Sequence, residues 1–119
     1  MAGIYEMAKD LGMALARTDE YQALRRASQT AEADREFVEL RNRLTALEDR
    51  IEAALRAGRQ PDDETRTEYE QVASELQARP EFQKLVAAQS NFEKIMLKVN
   101  ETMAQGLQEG GQSRIILSS

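Results

Sequence analysis

Two runs of apolar residues, spaced alternately by three and four, constrain this chain more than any other feature. Phe37, Leu40, Leu44, Leu47, Ile51 and Ala54 form the first. Phe82, Leu85, Gln89, Phe92, Met96, Val99 and Met103 form the second, with one polar member. A period near 3.5 gathers each set on one side of an α-helix, the pattern of a heptad seam. On a strand the same residues would scatter over both faces, because strand side chains alternate. β-branched residues are sparse and no stretch alternates apolar and polar for long. The chain is therefore predicted to be all-α: an antiparallel helical bundle with two long helices and coiled-coil-like seams.

The punctuation between helices is legible. A first helix spans about Ile4 to Arg17, with Ile4, Met7, Ala8, Leu11, Ala14 and Leu15 as its apolar stripe. Thr18 is a junction whose hydroxyl can cap a new helix start, where Asp19 and Glu20 suit the helix dipole. Whether the chain bends at Thr18 or runs straight through is left open by the sequence. The second helix runs to about Ala31 with Tyr21 and Leu24 inward. Asp34 caps a third helix that runs to Ala57, and Gly58 ends it. Pro61 cannot continue a helix and Asp62 can cap the fourth, which carries Tyr69, Val72, Ala73 and Leu76 inward to about Ala78. Pro80 suits the first turn of a fifth helix, since its missing N–H would have no partner there. That helix is expected to run to about Gln108 and stop at Gly110-Gly111. The result is a single helical domain over 4–109 and a flexible C-terminal tail over 110–119.

Length turns these helices into an argument for assembly. The third helix is ~36 Å long and the fifth ~40 Å. A compact chain of 119 residues has a radius of gyration of ~13.5 Å, hence a diameter of roughly 35 Å. Two such helices, with three shorter ones to cover them, leave parts of both seams bare. A homo-oligomer, dimer or higher, is the expected cover, and the seam residues Phe37, Leu40, Leu44, Leu47, Ile51, Phe82, Leu85, Gln89, Phe92, Met96, Val99 and Met103 are the candidate oligomer or core contacts. The alternative is an elongated monomer in which the third, fourth and fifth helices cover each other. Gln89 either fixes register from inside the seam, as a buried polar residue can, or lies at its edge and reaches water.

Catalytic chemistry is poorly supplied. His and Cys are both absent, which removes the commonest general base, thiolate chemistry, disulfides and the usual zinc ligands. Carboxylate pairs at helical spacing, Glu36 with Glu39, Asp49 with Glu52 and Glu64 with Glu68, lie off the seams and alternate with arginines. They read as solvated faces. Arg25-Arg26 reads as surface, and Gly110-Gly111 is not a phosphate loop. No catalytic residue, metal or cofactor is expected. A net charge of −5 argues against nucleic acid and against an anionic membrane face. Residues 1–6 do not read as a secretory leader, and no apolar run approaches ~18 residues. A soluble, cytoplasmic protein is expected.

A family resemblance rests on several segments. Tyr5-Glu6-Met7-Ala8-Lys9-Asp10-Leu11, followed by Thr18-Asp19-Glu20-Tyr21-Gln22-Ala23-Leu24, resembles the start of the YheA-like branch of the YlbF/YmcA family of small bacterial helical proteins. The likeness continues through Ala33-Asp34-Arg35-Glu36 and Gly58-Arg59-Gln60-Pro61-Asp62-Asp63-Glu64 to the helix after Pro80. It covers roughly 4–109. The resemblance implies an all-helical oligomer. It also implies a cytoplasmic regulatory adaptor of the kind that acts in bacterial competence, development and biofilm control within complexes linked to RNA turnover. Longer members carry a Cys-bearing tail connected with iron–sulfur binding, and a chain without Cys does not inherit it. The leading expectation is a non-enzymatic interaction module whose partner is itself, with another protein of a regulatory complex as a further partner. Two competitors are a small dimeric enzyme of chorismate-mutase-like type, which would need buried Arg, Lys and Glu around a dianion, and a coiled-coil subunit of a hetero-complex.

Overall fold

The computed structural model describes residues 3–118, with side chains over 3–111. Five helices follow one another: α1 (Ile4–Ala16), α2 (Asp19–Ala33), α3 (Arg35–Arg56), α4 (Asp63–Gln77) and α5 (Pro80–Ser118). No strand occurs among the described residues.

Each junction has a local chemical cause. Thr18 leaves the helical region (φ −67°, ψ 152°), and its Oγ1 accepts from the Tyr21 amide at 3.1 Å while donating to the Leu15 carbonyl at 2.7 Å. One hydroxyl thus closes α1 and opens α2, and the open question at Thr18 is resolved as a break. Asp34 (φ −92°, ψ 113°) separates α2 from α3 by a single residue and accepts from the Phe37 amide at 2.9 Å. At the end of α3, Gly58 sits at φ +74°. Its amide reaches Leu55 O at 3.0 Å and the Arg59 amide reaches Ala54 O at 2.9 Å, the paired bonds of a Schellman cap. Asp62 then accepts from the Thr65 amide at 2.8 Å and starts α4.

The fifth helix departs from expectation. It passes through Gly110-Gly111 and continues to Ser118 instead of stopping at Gln108. Glycine weakens a helix interior without forbidding it, and neither residue adopts the positive φ that would turn the chain, as Gly58 does. No proline follows to force a stop. The side chains of Ile115, Ile116 and Leu117, expected in a tail, lie outside the described residues.

The helices pair in two antiparallel sets. α3 and α4 form a hairpin, and α2 lies along the first half of α5. Tyr21 meets Phe92 edge to face at 5.4 Å between ring centroids, which fixes the second pairing. The two sets join where α2 passes into α3 and α4 into α5. Ala31, Phe37 and Leu76 are buried there, with Leu40, Leu44, Phe82 and Leu85 packed around them. Leu47 and Val72 are buried farther along the hairpin helices. Placed end to end, α3 and α5 would span about 90 Å at 1.5 Å per residue. The molecule measures 66 × 38 × 21 Å, so the hairpin is set across the α2–α5 direction.

Candidate protein-interaction site

The structure brings the two seams to different degrees of cover. On α3, Phe37 and Leu47 are buried and Leu40, Leu44 and Ile51 half-buried. On α5, Phe82, Leu85, Phe92, Met96 and Val99 are half-buried, whereas Gln89 and Met103 are exposed. Within one chain Gln89 therefore lies at the edge of its stripe. Sequence reasoning missed Ala31 and Ala88, both buried. Their small side chains sit where α2 and α5 run together, and only the choice of neighbour distinguishes such alanines from the many exposed ones.

Beyond Phe92, α5 leaves α2 behind and runs beside α1. The two helices bound an apolar groove of about 290 Å³ lined by Leu11, Ile95, Val99 and Met103, with Lys98 and Thr102 at its edge. No residue of α1 is buried. Ile4 is 79% exposed, Met7 60% and Leu107 80%, so the stripe read from the sequence is open at its Ile4–Met7 end, while Leu11 lines the groove and Leu15 is half-buried. Of the large apolar side chains left exposed among the described residues, all but Leu55 belong to α1 or α5.

The polar chemistry gathers at the junction of the two pairs. Arg79, one residue before α5, sends Nη2 to both oxygens of Asp34 at 3.1 Å and Nη1 to Glu36 at 2.7 Å. Its Nε faces Glu81 Oε2 at 3.5 Å, too long for a good hydrogen bond, and neither atom finds another protein partner. The Phe37 amide holds the Asp34 carboxyl below its usual range; partial burial opposes this, and Arg79 adds to the lowering. Partial burial of Arg79 favours loss of its charge, but Glu36, Asp34 and Glu81 outweigh that and raise its pKa. At the hairpin tip the Thr65 hydroxyl and amide lower Asp62 in the same way.

This cluster is an ion-pair clasp between the two helix pairs. A groove of about 540 Å³ beside it is lined by Glu36, Glu39 and Glu75 as well as Arg43 and Arg79, so its charges oppose one another. Arg79 is the least exposed arginine among the described residues, and three carboxylates engage it. Arg43 lines the same groove, but Glu36, Glu39 and Glu75 stand beside the two cations where a dianionic substrate would sit. The carboxylates paired in the sequence have separate partners: Glu36 with Arg79, Glu52 with Arg56 and Glu68 with Arg43. Among the described residues no group of three or more acids is placed to hold a metal ion, and no helix is long and apolar enough to cross a membrane.

Comparison with individually curated proteins gives no match. A family model described as "Control of competence regulator ComK, YlbF/YmcA" matches residues 4–108. That span runs from the first residue of α1 through the exposed distal part of α5, and so includes the whole two-pair architecture and its uncovered arm. The chain belongs to the YlbF/YmcA family.

Proposed function

We propose that this protein is a non-enzymatic, homo-oligomeric interaction module that works as a cytoplasmic regulatory adaptor, on the YheA-like branch of its family. One observation carries the reading: the fold is far more open than that of a compact monomer. Its radius of gyration is 21.4 Å, against ~13.5 Å for a compact chain of this length. Only six apolar residues are buried among those described, and two of them are alanines. A 13-residue helix such as α1 is marginal in water unless its apolar face is covered, and here no residue of that face is buried. The family's association with control of a competence regulator supports a role exercised through protein contacts. The opposed charges around Arg79 weigh against an anionic substrate and hence against the chorismate-mutase-like alternative.

The test is mass in solution. Light scattering on the purified chain at tens of micromolar should give an integral multiple, two or more, of 13.4 kDa. A monomer mass over that range overturns self-association. Co-purification from the native host with one stoichiometric foreign protein, and never with itself, would instead favour the hetero-complex reading.

A further inference from the structure

We infer that the second copy docks on the arm formed by α1 and residues 95–111 of α5, and that the α3–α4 hairpin stays outside this contact. The inference rests on the homo-oligomer reading above and assigns its surface. Three observations select it. The first is area. The chain exposes 9,464 Å², about 3,000 Å² more than a compact monomer of its mass. A stable interface takes about 800 Å² from each partner, and an obligate one more. A third of the excess would suffice.

The second is location. The exposed large apolar side chains fall on α1 and α5, and the hairpin contributes only Leu55. The groove between α1 and α5 already presents Leu11, Ile95, Val99 and Met103 side by side, and Leu107 lies one turn beyond Met103. A two-fold axis beside this groove would set each copy's pair of helices on the other's, forming a four-helix contact.

The third is charge. Between Arg35 and Ala78 the hairpin holds seven arginines against eleven acids, a net −4 of the chain's −5. Two hairpins laid face to face would repel. The arm carries half that charge, a net −2 from Glu6, Lys9 and Asp10 on α1 and Lys98, Glu101 and Glu109 on α5, with both signs interspersed. Copies can approach through the arm while the acidic hairpins point away.

The experiment compares light-scattering masses of the native chain, of a variant carrying Met103→Glu and Leu107→Glu, of Leu55→Glu, and of a chain ending at Gly111. The arm variant should fall to 13.4 kDa, while Leu55→Glu and the shortened chain keep the native mass. If the native chain is itself a monomer, the homo-oligomer reading fails and this assignment with it. If the native chain is an oligomer that survives the arm substitutions but not Leu55→Glu, the surface is wrong and the oligomer stands. Dissociation on removal of residues 112–119 alone would assign the cover to that segment and overturn the proposal. Should the arm variant unfold by circular dichroism, spin labels decide the matter. The chain has no native Cys, so Thr102→Cys and Gln60→Cys each place one label. Labels at 102 in two copies should couple within roughly three helix diameters, and labels at 60 should not. Coupling at 60 without coupling at 102 reverses the assignment.

Discussion

Asp34 places three contacts on one carboxylate. It ends α2, caps α3 through the Phe37 amide and takes both hydrogen bonds from Arg79 Nη2. Asparagine can still cap, because its side-chain oxygen accepts as well, but it cannot pair with a guanidinium. Asp34→Asn should therefore lower the melting temperature less than Asp34→Ala, a difference readable by circular dichroism. Acid dependence has a definite sign. The Asp34 and Asp62 carboxyls are lowered in the folded chain. Their contribution is fully present above the ordinary carboxylate value of about 3.9 and is lost as pH falls through the lowered folded values. A melting series from pH 6 down to pH 2 should show that loss, and Asp34→Asn should flatten its steepest part. Equal curves for the native chain and the variant would mean that the Asp34 contacts contribute nothing in solution.

At the scale of an element, two kinds of glycine behave oppositely. Gly58 holds φ +74° with nothing near enough to meet an added Cβ, so Gly58→Ala isolates backbone strain and should destabilise by about 1–2 kcal/mol. Gly110 and Gly111 lie within α5 in open space. Alanine there should stabilise the helix by up to about 1 kcal/mol per site, seen as increased helicity. A loss of helicity would show that the chain turns at these glycines. The hairpin seam has its own test. Leu47→Ala empties a position only 3% exposed and should cost about 2–5 kcal/mol in urea unfolding. Glu48→Ala, on the exposed side of the same helix, should stay within about 0.5 kcal/mol. Equal costs at both positions would mean that α3 turns a different face to α4.

For the whole molecule the dominant fact is a deficit of core. Helices that can cover one another only in pairs leave an arm that protrudes, and the proposed second copy would cover it. The same openness bears on ligands. Acids spread along helix faces and paired to arginines do not converge as calcium or magnesium requires. Melting with excess EDTA should match melting without it. A bound ion at a hundredfold excess over its Kd would raise stability by about 2.7 kcal/mol, several degrees for a domain of this size. A fall of that size in EDTA, reversed by one divalent ion and not by matched ionic strength, would reveal a metal site built between copies.

What the sequence determined by itself was everything that depends on neighbours along the chain. The 3.5-residue period put Phe37, Leu40, Leu44 and Leu47 on one face of a helix. Asp34, Gly58, Asp62 and Pro80 marked the breaks, because capping and φ preferences act within four residues, and Thr18 marked a junction whose bend stayed open. Gly110-Gly111 misled for a related reason: a glycine pair ends a helix only when its backbone turns, and glycine permits a positive φ without requiring it. Which apolar stripe would be covered was decided by tertiary structure alone. Met7 and Leu11 on α1 look like Leu40 and Leu44 on α3 in periodicity and hydrophobicity, yet one pair is exposed and the other packs around Phe37. The difference is whether the chain's own connections return another helix to that face. The short Gly58–Asp62 turn returns α4 to α3, whereas α5 runs beside α1 without burying any of it. The clasp of Arg79 with Asp34, Glu36 and Glu81 was likewise out of reach, since Arg79 and Asp34 stand 45 residues apart. Only the meeting of the two helix pairs brings them into contact.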